Sequence, residues 1–188
     1  MKPLNKSKPV VFLGSIIYKL RKLSNCIVRR YVVSSFSSVG NDVYVGDNGI
    51  FTFKNIEIGN DVYIGANAVF QSSFGKIIIG NHVMFGPGVN IHGGNHKINE
   101  VGKLLKHTTP KQDGDDGVII IEDDCWIGAN AIILSNVTIG KGSVIGAGSV
   151  VTKDVPPYTI MTGVPSVKSR ERFSDYELEE HINTLNDY

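Results

Sequence analysis

The side chains of this 188-residue sequence best suited to chemistry at neutral pH are its five histidines and two cysteines. His96, in the run Ile91-His92-Gly93-Gly94-Asn95-His96, opens a polar stretch over about 97–117. An imidazole ordinarily titrates near pH 6.5, so a histidine at the mouth of a loop can take the proton of a hydroxyl and make its oxygen a nucleophile. A loop of that length inside a compact repeat is usually functional. Metal binding is a second chemistry, with His82, His92 and His96 as ligands if three imidazoles converge on zinc. His107, in mid-stretch, and His181, near the C-terminus, need only surface or packing roles. Cys125 is the tempting sulfur nucleophile, yet it holds an inward position of a repeat, which removes it from any substrate.

That repeat is what must position these residues. Over 121–156 aliphatic residues recur every six positions, at Ile121, Ile127, Ile133, Ile139, Ile145 and Val151, usually followed by glycine, as at Gly128, Gly140 and Gly146. Four residues beyond each, Cys125, Ala131, Val137, Ser143, Ser149 and Val155 are small or β-branched. A helix repeats every 3.6 residues and a strand every two, so neither gives this spacing. A parallel β-helix does, because each hexad supplies one short strand and one corner, and three close a triangular coil of about 18 residues. Glycine suits the corner, where it relieves crowding and accepts unusual backbone angles. The fold class is therefore all-β, with a thin aliphatic column as its core.

Coils start at Val39-Gly40, Ile58-Gly59 and Ile79-Gly80. The steps of 19 and 21 residues between them predict corner insertions near 53–57 and 72–76. The third coil runs through Ile91 and breaks, and the repeat resumes at 118–121. The organisation read from this is a basic helical segment at 1–38, a β-helix at 39–166 with its excursion at 97–117, and a tail with a short helix at 167–188. Over 9–33, Val10, Leu13, Ile17, Leu20 and Ile27 interleave with basic residues as in an amphipathic helix. Its first reading is a cap over the exposed strand edges at the end of the coil; its second, compatible with the first, is contact with an anionic membrane surface. Ser174 and Glu177 form a capping box ahead of Leu178, Ile182 and Leu185, which share one face of the terminal helix.

The formal charge of +1 hides an asymmetry. Residues 1–30 hold eight Lys or Arg and no acid, leaving 11 basic and 18 acidic residues beyond them, so the head is +8 and the body −7. Basic residues at one end without interleaved aromatics do not describe a nucleic-acid surface. No segment is long enough to cross a membrane, no secretory signal is evident, and Cys26 and Cys125 read as packing residues of a reducing compartment, so the expected location is cytoplasmic.

The ordered string of the His96 loop, Trp126-Ile127-Gly128-Ala129-Asn130, Ile145-Gly146-Ala147-Gly148-Ser149, Val151-Thr152-Lys153-Asp154-Val155-Pro156-Pro157 and Gly163-Val164-Pro165 resembles the hexapeptide-repeat acyltransferases over about 39–170, in the sugar and xenobiotic O-acetyltransferase branch. The resemblance implies a left-handed coil, a homotrimer with active sites between subunits, acetyl-CoA as co-substrate, and direct transfer to a hydroxyl. It makes His96 the general base and the backbone N–H of Ala129 the oxyanion donor. Trp126 walls the acyl site, while Gly128, Ala147, Thr152 and Lys153 line the coenzyme groove, with Lys168 and Arg170 toward its nucleotide end. Asn67 and Ser72 fall on the acceptor side. Relatives often carry Arg two residues after the Pro of Gly-Val-Pro; here Val167 stands there, beside Lys168. Neither Ser72 nor Ser73 is the acidic residue of the galactoside branch, and the basic head replaces that branch's N-terminal helical unit. These departures favour a polysaccharide or cell-envelope precursor over a simple free sugar. The competing readings are an antibiotic acetyltransferase, a carbonic-anhydrase-type β-helix metalloenzyme built on His82, His92 and His96, and a non-catalytic solenoid.

Overall fold

The computed structural model describes residues 8–186; Lys2 and Lys6 of the basic head and the last two residues of the 167–188 tail lie outside the described residues. The described residues begin with helix α1 (Lys8–Ser34) and then wind five coils of three short strands each. The first coil holds β1 (Ser38–Val39), β2 (Tyr44–Val45) and β3 (Ile50–Phe51), and the second β4 (Ile56–Ile58), β5 (Tyr63–Ile64) and β6 (Val69–Gln71). The third holds β7 (Lys76–Ile79), β8 (Met84–Phe85) and β9 (Asn90–His92), the fourth β10 (Val118–Ile121), β11 (Trp126–Ile127) and β12 (Ile132–Ile133), and the fifth β13 (Thr138–Ile139), β14 (Val144–Ile145) and β15 (Val150–Val151). Strands β16 (Thr159–Thr162) and β17 (Val167–Glu171) and helix α2 (Asp175–Asn186) complete it.

Every third strand stacks in parallel, giving three flat faces: β1-β4-β7-β10-β13, then β2-β5-β8-β11-β14 extended by β16 and β17, then β3-β6-β9-β12-β15. This is the three-sided parallel β-helix that the period of six predicts. Ile121 pairs with Ile139 and Ile127 with Ile145, a step of 18; Val39 pairs with Ile58 and Ile58 with Ile79, steps of 19 and 21. The extra residues enter at one corner alone, between the third face and the first, as the 3-10 turn Phe53–Asn55, the segment 72–75 and the excursion 93–117.

The column consists of the expected residues. Ile121, Ile127, Ile133, Ile139, Ile145 and Val151 are all fully buried, and so are Ala131, Val137 and Ser143 between them. Each such Ile or Val contributes roughly 1.5–3 kcal/mol by leaving water, which holds together strands too short to stand alone. The repeat glycines serve close approach rather than unusual angles. A Cβ on Gly128 would lie 2.5 Å from the Ala147 nitrogen of the next coil, and one on Gly86 2.6 Å from that of Ala129. The left-handed conformation sits two residues later, at Asn48, Asn67 and Asn130, where a short polar side chain tolerates it.

Two expectations change at the N-terminal end. Only the last part of α1 packs on the coil: Val32 and Val33 rest against the core, Arg29 pairs with Asp47 at 3.0 Å, and Asn25 donates to the same carboxylate at 2.9 Å. Phe36 plugs the column end, edge-on to Phe51 and Phe53 at 5.3 Å each. Cys26 is exposed rather than packed, because the helix turns it away from the coil. At the other end, Ser174 and Glu177 close the reciprocal capping box, with the Ser174 hydroxyl donating at 2.7 Å to the Glu177 carboxylate, which is held below its usual range by the Ser174 N–H and hydroxyl. No described helix is long and apolar enough to cross a membrane.

Candidate active site

The corner between the third and first faces carries the excursion that the sequence marks as the place to look for chemistry. The excursion leaves β9 and returns into β10, and its base is clasped to the smaller insertion below it. Gly114 N–H donates to Phe74 O at 2.9 Å, Phe74 N–H donates to the Asp116 carboxylate at 3.1 Å, and Gly117 N–H donates to Gly93 O at 3.1 Å. The Asp116 carboxylate is almost wholly buried and ion-pairs with Lys111, whose ammonium lies over the Phe74 ring at 6.0 Å. Gly94 permits this: a Cβ there would overlap Asp116 Oδ1 at 1.9 Å. Glu100 ties the outer part of the excursion by pairing with Lys103 at 2.8 Å and accepting the Thr109 N–H at 3.0 Å, and these contacts, Lys103 first, hold its carboxyl down to about 2.

Within this frame His96 is exposed and lines a cleft of about 270 Å³ with Asn95, Lys97, Lys111, Asp115, Ser135 and Asn136. Lys97 and Asp115 pair across it at 3.1 Å, and the Gln112 N–H first, then Lys97, hold the Asp115 carboxyl below its usual range. No hydrogen bond among the described residues ties the His96 ring. The other histidines differ. His82 contacts Asp61 at 2.9 Å on the corner between the first and second faces. His92 ends β9 opposite Gln71, His107 is exposed on the short turn Leu105–His107, and His181 packs on Phe173 at 4.7 Å. His82 thus stands on the corner between the first and second faces and His92 on the third face, and no group of three metal-binding side chains occurs among the described residues.

The corner between the second and third faces holds another set. Trp126 stands half exposed on the second face between Met84 and Val144, and Gly128 turns the chain into Ala129. The N–H groups of Ala129 and Ala147 donate no hydrogen bond among the described residues, while neighbouring groups are used in coil stacking, such as Gly148 N–H to Ala129 O at 2.8 Å. Asn67 lies on this same corner, where its side chain accepts from Asn48 at 3.4 Å. Thr152 and Lys153 are exposed on the third-to-first corner, one coil beyond Ser135 and Asn136, and Lys153 forms no ion pair among the described residues.

Two expected residues sit differently from their expectation. Ser72 is buried, its hydroxyl covered by Gly93 and without a partner, so it presents no side chain to an acceptor. Lys168, on the exposed strand β17, spends its charge on Glu171. Arg170 on the same strand donates at 3.0 Å to the Glu171 carbonyl. Cys125 is enclosed, and burial pushes its thiol up to about 12, so no thiolate forms there near neutrality. Sequence reasoning missed Asp116, Lys111 and Phe74, which hold the excursion in place. The signal was the pairing of a 21-residue step with the long break after it, both at one corner.

Comparison with known proteins agrees with this fold. Residues 119–153 match the bacterial transferase hexapeptide family (six repeats). The chain is 32% identical over 160 residues to the galactoside O-acetyltransferase of Escherichia coli (strain K12), covering 78% of this chain and 73% of that one. It is 41% identical over 107 residues to the galactoside O-acetyltransferase of Lactococcus lactis subsp. lactis (strain IL1403), covering 56% of this chain and 48% of the relative, so that match spans about half the relative's length. Among solved structures, a hexapeptide-repeat acetyltransferase of Vibrio cholerae O1 biovar eltor, complexed with acetyl coenzyme A, superimposes with a TM-score of 0.68 at 33% identity, covering 78% of each chain.

Proposed function

The chain belongs to the hexapeptide-repeat acetyltransferases, and from that premise we propose that it transfers the acetyl group of acetyl-CoA to a hydroxyl of a sugar, within a polysaccharide or cell-envelope precursor. The observation that carries the reading is His96, lining the cleft at the mouth of the excursion with its ring untied. Its imidazole takes the hydroxyl proton as the oxygen attacks the thioester carbonyl. The oxyanion of the tetrahedral intermediate is met by the Ala129 N–H. Collapse breaks the C–S bond, the ester leaves, and the proton on His96 passes to the coenzyme thiolate. No covalent acyl-enzyme is needed.

The coenzyme fits the residues present. Pantetheine amides need backbone partners, and the N–H groups of Ala147 and Thr152 donate to nothing among the described residues. Lys153 is the cation left for a phosphate, with Arg170 further along; Lys168 would first have to leave Glu171. Trp126 offers a flat wall to the acyl or sugar group.

One coil does not assemble the whole site. His96 and Ala129 belong to different corners, separated by a hexad of on the order of 15–20 Å at about 3.3 Å per residue. Direct transfer therefore needs a second copy, with His96 of one subunit facing Ala129 and Trp126 of the next, in the left-handed homotrimer of the family. The setting is cytoplasmic, at the inner surface of the envelope, where the basic head reaches the membrane.

Thiol release from acetyl-CoA, measured against sugars, nucleotide sugars and antibiotic alcohols for the wild type and for His96→Ala, tests this. The expected result is acceptor-dependent release that falls by about 10²–10⁴-fold in the variant while coenzyme binding persists. Unchanged turnover in His96→Ala sinks the assignment.

A further inference from the structure

Helix α1 has two opposed faces, and the coil uses one of them. At about 100° per residue, Asn25, Arg29 and Val32 fall together, and this side bonds Asp47 and meets the first coil. Phe12, Leu13, Ile16, Leu20 and Ile27 fall on the other side. All five are exposed, Phe12 at 68%, Leu13 at 59%, Leu20 at 61% and Ile27 at 63%. Every side chain described over 9–20 is exposed. Isolated apolar side chains on a surface need no explanation, but Phe12, Leu13, Ile16, Leu20 and Ile27 aligned on one side of a helix do.

Charge decides what covers it. Lys8–Ser34 contains six Lys or Arg and no Asp or Glu, while residues 31–188 hold 11 basic and 18 acidic residues. A second copy of the helix would bring cations against cations with no acid on either side to pair them. An anionic lipid surface complements the helix and repels the acidic body, which fixes the orientation as well as the contact. We propose that the outer face of α1 lies in the plane of an anionic lipid membrane. Phe12, Leu13, Ile16, Leu20 and Ile27 enter the acyl boundary by about 5–10 Å, and Lys19 and Arg30 sit at headgroup level. Arg29 stays with Asp47 and Tyr44, 4.7 Å from the ring, and so couples the seated helix to the first coil. The inference rests on α1 and not on the acetyl-transfer chemistry.

The test is co-sedimentation of the full chain with vesicles of phosphatidylcholine alone and of phosphatidylcholine with phosphatidylglycerol. The expected result is binding at least about tenfold tighter to the anionic vesicles, weakening as salt screens the charges. The double variant Leu13→Asp/Leu20→Asp should lose it, and Lys19→Glu/Arg30→Glu should lose most of it. Thiol release with a soluble acceptor should stay at the wild-type rate in both, so failure here is distinct from failure of the proposed reaction. Equal affinity for neutral and anionic vesicles, or vesicle binding untouched by Leu13→Asp/Leu20→Asp, overturns the proposal. So does a wild type that ignores vesicles and loses oligomeric mass in that variant, since the stripe is then a contact between copies.

Discussion

The corner between the second and third faces and the corner between the third and first are built from the same hexads and treated in opposite ways. The former takes four residues in every coil, 46–49, 65–68, 86–89, 128–131 and 146–149, and stacks Asn48, Asn67 and Asn130 in one backbone conformation. The latter takes four residues at 52–55 and 134–137 and 25 at 93–117. Regular stacking makes the first corner a fixed rail that offers backbone N–H groups at set intervals. Interrupting the stack at the second costs little, because the strands on either side still pair directly, Ile77 with Ile119 and Ile91 with Ile133. The lesson is that a repeat holds its backbone N–H groups at fixed intervals where it is kept and makes room for an exposed histidine where it is broken.

If that division is sound, substitutions in the two regions should separate stability from activity. The sharpest case is Ile127→Ala, which opens a cavity in the column and should lower unfolding free energy by about 2–5 kcal/mol while well-folded protein below its melting temperature keeps its turnover. Next, Asp116→Ala removes the clasp and leaves the Phe74 N–H and Lys111 unsatisfied; kcat should fall by at least about tenfold through misplacement of His96, for a cost of about 1–3 kcal/mol confined to the excursion. A global melting temperature as depressed in Asp116→Ala as in Ile127→Ala would erase the distinction. Lys153→Ala should act on binding alone, raising the coenzyme dissociation constant by about five- to tenfold, roughly 1 kcal/mol, with kcat unchanged, as titration calorimetry and saturation kinetics would show. The smallest effect is on acidity. Glu100 is held at about 2 in the folded chain against 4.5 ordinarily, so its contacts contribute fully above pH 4.5 and are lost as the pH falls toward 2. Amide exchange at Thr109, corrected for intrinsic rates, should accelerate over that window while Gly128, bonded to Ile145 O at 2.7 Å, stays protected.

What the sequence disclosed was what repeats. Ile121 through Val151 announced the column, the steps of 19 and 21 announced the two small insertions, and the gap before Val118 announced the excursion, because each is a statement about spacing along the chain. The clasp was hidden since Phe74 and Asp116 are 42 residues apart and belong to no period. Ser72 looked available because its corner varies, but the return of the chain at Gly93 covers it. Lys168 was legible as a cation of the tail, but not that the strand brings Glu171, three residues on, beside it. The course of α1 was equally out of reach: its amphipathic spacing gives a helix but not which side faces the coil, and the coil takes the Asn25-Arg29-Val32 side.

A parallel coil has no natural end, since its last rung is a template for another, and molecules of this shape risk growing into fibres rung by rung. Strand β17 answers that risk. It runs antiparallel to β16 with a register shift at Ile160 and Met161, and it lays Lys168, Arg170 and Glu171 along the outer edge of the second face. A bulged, reversed and charged edge gives an incoming strand neither the right direction nor a neutral surface to pair with. Deleting β17 should turn a discrete particle into one that polymerises end to end, visible as turbidity or elongated particles.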